Sequence, residues 1–181
     1  MTKFSTRTIL AMVVAAVAVV IVATVAIVAV AVHNAPAPTP VITAYAHGTT
    51  ATAPLYRDCA IGKPDPQGRV SLDCHESGAF AKLNPPLGAP VQLSFPKELS
   101  TAPWVMVQEF EVIGHPGETT QHMVAWKDYP EGTQAIRVDT HPAPNLRLIG
   151  LEVQLLIITG DGTGREAGYL PFRTWSIKTT T

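Results

Sequence analysis

The sequence predicts an all-β antiparallel sandwich of about seven to nine strands, preceded by one N-terminal transmembrane helix. An uninterrupted apolar run fills residues 9–32 and predicts the helix. After it, the chain breaks into short segments in which apolar and polar residues alternate, as in strands with one buried face. The 16 prolines fall mostly between these segments, where turns and strand edges belong.

A helix from Ile9 to Val32 would extend about 36 Å, enough to cross a hydrocarbon core of about 30 Å with some tilt. Lys3 and Arg7 precede it, and no charged residue follows until Arg57. By the positive-inside rule, residues 1–8 are then cytoplasmic and the chain beyond the helix is extracytoplasmic. The sequence therefore predicts a single-pass protein of the plasma membrane with an uncleaved signal-anchor.

A cleaved secretory signal is the alternative interpretation of residues 9–32. The apolar stretch of such a signal is shorter, about 7–15 residues, and it ends at a cleavage site of small residues. The triplet Ala29-Val30-Ala31 has that form, but it arises easily by chance in a segment so rich in Ala and Val. We expect an anchor and leave cleavage open.

Residues 33–40 form a proline-rich linker, in which Pro36, Pro38 and Pro40 favour a short extended spacer. Residues 41–178 suffice for one extracytoplasmic domain with its own core. Since two of the 13 basic residues precede the helix and all 14 acidic residues follow it, the outer part has a formal charge of −3. This mildly acidic, evenly charged surface argues against a nucleic-acid ligand.

Alternation places the strands within the outer domain. The predicted strands are Val41–Ala46, Thr49–Arg57, Val70–Cys74, Val91–Phe95, Trp104–Val112, Gln121–Trp126, Thr133–Asp139, Leu151–Ile157 and Arg165–Lys178. Short strands separated by turn residues fit an immunoglobulin-like or fibronectin-like sandwich better than a parallel sheet. Gly160–Gly164 lacks the lysine and the following helix of a phosphate loop, so we expect it to form the turn of a hairpin.

Cys59 and Cys74 are the two cysteines of the chain. In an oxidising compartment, two thiols at this spacing predict one disulfide. Its closure would stabilise the fold by about 3 kcal/mol through the lost chain entropy of the unfolded state. A zinc site that includes His75 would need closer ligand spacing and a fourth ligand. We therefore expect no metal and no cofactor.

Catalytic motifs are absent from the sequence. Ser71, Ser94 and Ser176 lie in alternating segments, and no Gly-x-Ser-x-Gly surrounds a serine. Glu109 and Glu111 would share one strand face, which is more typical of a solvated face or a protected edge than of a glycosidase pair. We expect no enzymatic activity, and a hydrolase site assembled from distant loops is the alternative.

Aromatic side chains offer a possible platform for a sugar or a lipid. Trp104 and Trp175 lie in alternating strands and are expected in the core. Tyr129 lies in the turn-like segment Lys127–Gly132, so it is the aromatic residue that we most expect to be exposed, and it is the candidate ligand platform.

Several local strings resemble a family of uncharacterised envelope proteins from mycolic-acid-containing actinobacteria, which is a domain of unknown function. They are the charged start before the Ala/Val helix, Ile42–Gly48, Tyr56-x-x-Cys59 with Asp73-Cys74, and Val91–Glu98 running into Ala102-Pro103-Trp104. The resemblance implies an extracytoplasmic domain tethered at the membrane. It implies no activity and no functional residues.

These observations predict a membrane-anchored extracytoplasmic binding or scaffolding module of the cell envelope. A rigid sandwich presents contacts on its end loops, and no group is arranged for chemistry. Envelope or membrane proteins are the expected partners. A module that binds an envelope glycan or lipid through an exposed aromatic such as Tyr129 is the alternative function.

Overall fold

A computed structural model describes residues 6–35, 39–66, 70–159 and 168–179. The chain divides into two compact units, the first ending at Pro38 and the second beginning at Thr39. The first unit holds helix α1, Thr6–His33, which contains the predicted apolar run. Its segment Leu10–His33 is long and apolar enough to cross a membrane, a property that suits a single-pass anchor and a signal sequence alike.

The second unit is built from strands. Their bounds are β1 Ile42–Ala46, β2 Thr49–Ala53, β3 Leu55–Ile61, β4 Leu72–Glu76, β5 Ala81–Leu83, β6 Val91–Ser94, β7 Trp104–Val112, β8 Thr119–Ala125, β9 Ala135–Val138, β10 Leu146–Thr159 and β11 Gly168–Thr179. A short helix α2, Lys97–Ser100, precedes β7, and a 3-10 turn, Trp126–Asp128, follows β8.

The strands form two sheets. The smaller sheet has the order β2-β1-β6-β9, and the larger has the order β4-β3-β11-β10-β7-β8 with β5 also paired to β11. Every pair is antiparallel except β5 with β11. The predicted fold class, an antiparallel sandwich after one apolar helix, is confirmed. The strands outnumber the prediction because one predicted strand is divided and the three-residue β5 was missed.

The core lies between the two sheets. Alternate residues of each inner strand point into it, so Val91 and Leu93 of β6 are buried while Gln92 is exposed. Trp104 and Trp175 are 2% and 0% exposed, which confirms them as core residues. Burial of each large apolar side chain contributes about 1.5–3 kcal/mol. Other fully buried members are Ile42, Leu83, Leu99, Met106, Val138, Val153 and Ile177.

The predicted strand Thr49–Arg57 is wrong, because it forms two strands in different sheets. β2 belongs to the smaller sheet and β3 to the larger, and Pro54 separates them. Proline has no amide hydrogen to donate to a ladder, so a strand ends or changes partner there.

The last two strands depart from the simple alternation. The register of β10 against β11 shifts between Leu155 and Leu156, and both side chains are buried. Ile157, predicted to face inward, is therefore only half-buried. β10 and β11 pair antiparallel as far as Thr159 with Gly168. The predicted turn Gly160–Gly164 and the first residues of the predicted strand Arg165–Lys178 lie outside the described residues.

Cys59 and Cys74 face each other on β3 and β4. Their Cα atoms are 3.9 Å apart and their Sγ atoms 2.10 Å apart, so the structure joins them as a disulfide. Cys59 is buried, whereas Cys74 is exposed. β4 is the last strand of the larger sheet, and Arg57 pairs with Glu76 beside the disulfide. The bridge fixes this edge.

Candidate functional site

An aromatic cleft of about 420 Å³ lies at one end of the sandwich. Two segments line it, and we call it the aromatic cleft throughout. The first segment is Ser100, Thr101, Ala102, Pro103 and Trp104, and the second is Trp126, Lys127, Tyr129, Pro130, Glu131, Gly132 and Thr133. Its volume falls within the range of about 300–1,000 Å³ that small-molecule sites occupy.

Hydrogen bonds at the end of α2 shape the first segment. The hydroxyls of Ser100 and Thr101 donate to the carbonyl of Lys97, over 2.9 and 3.3 Å, and so satisfy a carbonyl that the helix leaves free. Pro103 then accepts a hydrogen bond from the amide of Leu156 at 2.9 Å. This bond ties the segment to β10 just before β7 begins.

The second segment is a compact loop after β8. The carboxylate of Asp128 accepts from the amide of Ala125 at 2.7 Å, which closes the 3-10 turn. The hydroxyl of Thr133 donates to the carbonyl of Pro130 at 2.6 Å. Gly132 has a φ of +77°, a conformation that glycine adopts without steric cost, so the chain can turn back towards β9.

Aromatic rings in mutual contact form the wall and the floor of the aromatic cleft. Trp104 lies at the floor, and its ring centroid is 5.6 Å from that of Tyr129. Phe95 supports Trp104 from the core side in an edge-on contact at 5.2 Å. Trp126 packs against Tyr169 at 5.4 Å. These distances are those of favourable aromatic pairs, so the rings are held in place before any ligand arrives.

Charge is confined to the rim of the aromatic cleft. The ammonium of Lys127 lies 5.0 Å from the ring centroid of Trp126, a cation–π distance. Burial, and secondly the negative charge of Asp128, raise the pKa of Tyr129 above its ordinary value of 10.0. At neutral pH its phenol is therefore protonated and offers both a donor and an acceptor.

The candidate ligand platform, Tyr129, lines the aromatic cleft, but it is half-buried. The expectation that Tyr129 is an exposed aromatic residue is therefore wrong, whereas Tyr45 and Tyr169 are exposed, each at 43%. Its ring lies against Trp104, a contact between residues far apart in the sequence. Sequence reasoning also missed Trp126, which was assigned to the end of a strand. Its position three residues before Tyr129, in the segment that leads into Pro130 and Gly132, was the available signal.

The other chemical candidates lie away from the aromatic cleft. Glu109 and Glu111 are on β7, which has β8 and β10 on its two sides, so the protected-edge interpretation is wrong and a solvent-facing sheet surface is observed. Glu111 pairs with Arg147. Among the lining residues that the structure describes, Glu131 is the one carboxylate. Within the described ranges, no group of three His, Cys, Asp or Glu residues is placed to hold a metal ion.

Comparison with known proteins places the chain among relatives of unknown function. The sequence pattern of a family described as "Protein of unknown function (DUF2771)" matches residues 35–180. The chain belongs to this family. The matched range contains the whole β domain and both segments of the aromatic cleft. The expected resemblance to an uncharacterised actinobacterial family is thereby confirmed.

Individual relatives carry no assigned activity either. Uncharacterised proteins of Mycobacterium bovis and of two Mycobacterium tuberculosis strains are each 31% identical to the chain over 139 residues. The match covers 77% of this chain and 76% of each relative. No solved structure matches the chain.

Proposed function

We propose that this protein is a membrane-anchored extracytoplasmic binding module of the cell envelope, and that it holds its ligand in the aromatic cleft. The observation that carries the proposal is the pair of rings, Trp104 and Tyr129, held 5.6 Å apart at the floor and wall of a cleft of ligand size. The apolar helix and the cysteine pair support the anchor and the oxidising compartment.

The lining of the aromatic cleft indicates the chemical class of the ligand. Flat aromatic faces favour a group with an apolar face, such as a sugar ring or a lipid chain. The hydroxyls of Thr101 and Thr133 already donate to backbone carbonyls, so each offers its oxygen as an acceptor to a ligand. The rim offers one cation and one anion, Lys127 and Glu131. We propose binding without catalysis, since these groups provide recognition but no nucleophile and base pair.

Binding to the full-length protein, held in amphipol, tests this function. The probes are chitotriose for a soluble glycan and dihexanoyl phosphatidylethanolamine for a lipid, each followed by calorimetry. We expect saturable binding of one probe, and loss of about tenfold in affinity in Tyr129→Ala, since an aromatic pair is worth about 0.5–1.5 kcal/mol. The matched control is Tyr45→Ala, an exposed tyrosine of the smaller sheet. No binding of either probe, or equal losses in both variants, would contradict the proposal.

A scaffold for envelope proteins is the second candidate, and strand β8 favours it. In the part of the chain that the structure describes, β8 pairs with β7 alone, so its other edge is free. Its residues, Thr119–Ala125, include no Pro, Asp, Glu, Lys or Arg. The other edges are protected, because β4 carries Asp73 and Glu76, β9 is short and carries Arg137, and Pro54 ends β2. A partner strand can add to β8 by main-chain pairing.

Cross-linking in the native membrane tests the scaffold. A photoreactive residue in place of Met123, which is 64% exposed on β8, should give a discrete cross-linked product. The control carries the same residue at Gln92, which is exposed on the interior strand β6. Equal yields at both positions, or none at Met123, would count against strand addition.

A further inference from the structure

The chain enters the β domain at the same end that bears the aromatic cleft. The carbonyl of Pro40 accepts a hydrogen bond from the indole of Trp175 at 3.0 Å. The start of β1 lies beside the end of β6, because the two strands are antiparallel with Thr43 opposite Ser94. Phe95 follows β6 and contacts Trp104, the floor of the aromatic cleft. We call this the linker end.

Two strands run past the linker end. Trp104, the first residue of β7, lies opposite Leu155 of β10. β10 continues through Leu156–Thr159 and remains paired with Gly168–Pro171 of β11. At about 3.3 Å per residue, this two-stranded extension reaches about 13 Å beyond Trp104. We call these two ranges the β-arm.

The β-arm exposes large apolar side chains. Ile158 is 62% exposed, Tyr169 43% and Leu170 39%, and the described residues of the β-arm include no charged side chain. β3 is antiparallel to β11, so its last residue, Ile61, points towards the same end and is 53% exposed. Trp126, packed on Tyr169, joins the β-arm to the aromatic cleft. Apolar surface concentrated at one end of a domain marks a contact site.

The tether between the helix and the β domain is short. α1 ends at His33, and the β domain begins at Thr39. Six residues of chain span at most about 22 Å when fully extended. If α1 crosses the bilayer as proposed above, a tether of this length holds Thr39 within reach of the bilayer surface.

We infer that the β-arm inserts Ile158, Tyr169 and Leu170 into the outer interfacial layer of the bilayer that holds α1. This inference rests on the anchor in the proposed function. Trp and Tyr concentrate at that layer because their rings are apolar and their tips are polar. Trp126 and Tyr169 are such a pair, and Lys127 extends over the Trp126 ring, as a lysine does when its ammonium remains in water.

The tryptophans of the chain provide the test. The three are Trp104, Trp126 and Trp175, and two of them are buried in the core at 2% and 0% exposure. The full-length protein is placed in nanodiscs of phosphatidylcholine with or without bromine on the upper acyl carbons. We expect the brominated lipid to quench part of the tryptophan emission, and we expect Trp126→Phe to abolish that part.

A charged substitution in the β-arm then distinguishes insertion of the β-arm into the bilayer from a position merely near its surface. Ile158→Glu should reduce the quenching by more than half, whereas Leu87→Glu should leave it unchanged. Leu87 is a matched control, since it is 53% exposed and lies in the loop between β5 and β6, away from the linker end. Near-ultraviolet circular dichroism verifies that each variant is folded.

The outcomes distinguish the β-arm from the anchor. If the protein does not co-elute with the nanodiscs, the anchor fails and the inference fails with it. If it co-elutes but brominated lipid quenches nothing, or if Ile158→Glu and Leu87→Glu are quenched equally, the anchor stands and the inference is overturned.

Discussion

The two ends of the β domain carry different side chains. The linker end has the aromatic cleft and, beside it, the exposed apolar side chains Tyr169 and Ile158. Charged groups at this end are few, and two of them, Arg173 and Asp58, form an ion pair. The opposite end has the turn after β1 and the loops after β7 and β9, which present exposed ionisable residues such as His115 and Asp139. Alternation along each strand separates the faces of a sheet but says nothing about its ends. Strands of unequal length and the loops after them make the two ends different.

Trp104 links stability to recognition at the linker end, and its removal should give the largest effect. Trp104→Ala should lower the free energy of unfolding by about 3–5 kcal/mol, because the side chain is fully buried and the surrounding residues relax only partly into the space it leaves. Trp126→Ala is the comparison, since Trp126 is only half-buried. Apart from the loss of its contact with Tyr169, this substitution should lower the free energy of unfolding by less than about 1 kcal/mol. Urea denaturation of the full-length protein in detergent measures both. Similar losses of stability in the two variants would mean that the cleft residue Trp126 supports the fold as much as the core residue Trp104 does.

The disulfide at the edge of the larger sheet should give the next largest effect. Replacing Cys59 and Cys74 together by Ser should cost about 3 kcal/mol, since the closed loop of 15 residues no longer restricts the unfolded chain. The same denaturation experiment, run with and without reductant, checks it. Reductant should destabilise the wild type and leave the double variant unchanged. A wild type insensitive to reductant, with two free thiols by mass spectrometry, would reject the bridge.

Part of this architecture follows from sequence alone. Strand β7 was predicted with its observed bounds, Trp104–Val112. β6 was predicted to within one residue, because apolar and polar residues alternate cleanly from Val91 to Phe95. Two departures are at Pro54 and between Leu155 and Leu156, where a missing amide hydrogen and an extra residue override the alternation.

The aromatic cleft was only partly accessible to sequence reasoning. Tyr129 was found because it lies in the turn-like segment Lys127–Gly132, where an aromatic side chain is expected to be accessible to a ligand. Ser100–Pro103 was missed, because its contact with the second segment joins parts of the chain that only the folded sandwich brings together. The β-arm was missed for a related reason: that β10 extends past β7 is visible only once the end of the neighbouring strand is known.

A charge on strand β8 should have a small effect on stability and so tests the second candidate function cleanly. Met123→Lys should change the free energy of unfolding by less than about 0.5 kcal/mol, because the side chain is 64% exposed. It should nevertheless remove any strand partner, since a charged edge resists pairing. With the photoreactive residue placed instead at Gln121, which is also exposed on β8, loss of its cross-linked product with unchanged unfolding would identify β8 as the contact. Retention of that product would assign the partner to another surface.

The ionisation of Tyr129 gives the smallest expected effect and sharpens the comparison within the linker end. Its pKa is raised in the folded state, mainly by burial, above the value of 10.0 that applies to the unfolded chain. As pH rises through the unfolded value, the unfolded state therefore loses the proton first, and stability falls from there until the folded value is passed. Below about pH 9 the phenol is protonated in both states, so it adds no pH dependence to the free energy of unfolding.

Tyr129→Phe keeps the ring against Trp104 but cannot ionise, so the stability of this variant should fall less than that of the wild type between about pH 9 and 11. Tyr45→Phe, altered in the other sheet, should behave as the wild type does. Parallel curves for Tyr129→Phe and the wild type would show that the phenol is as well solvated in the folded protein as in the unfolded chain, and that the wall of the aromatic cleft is wet.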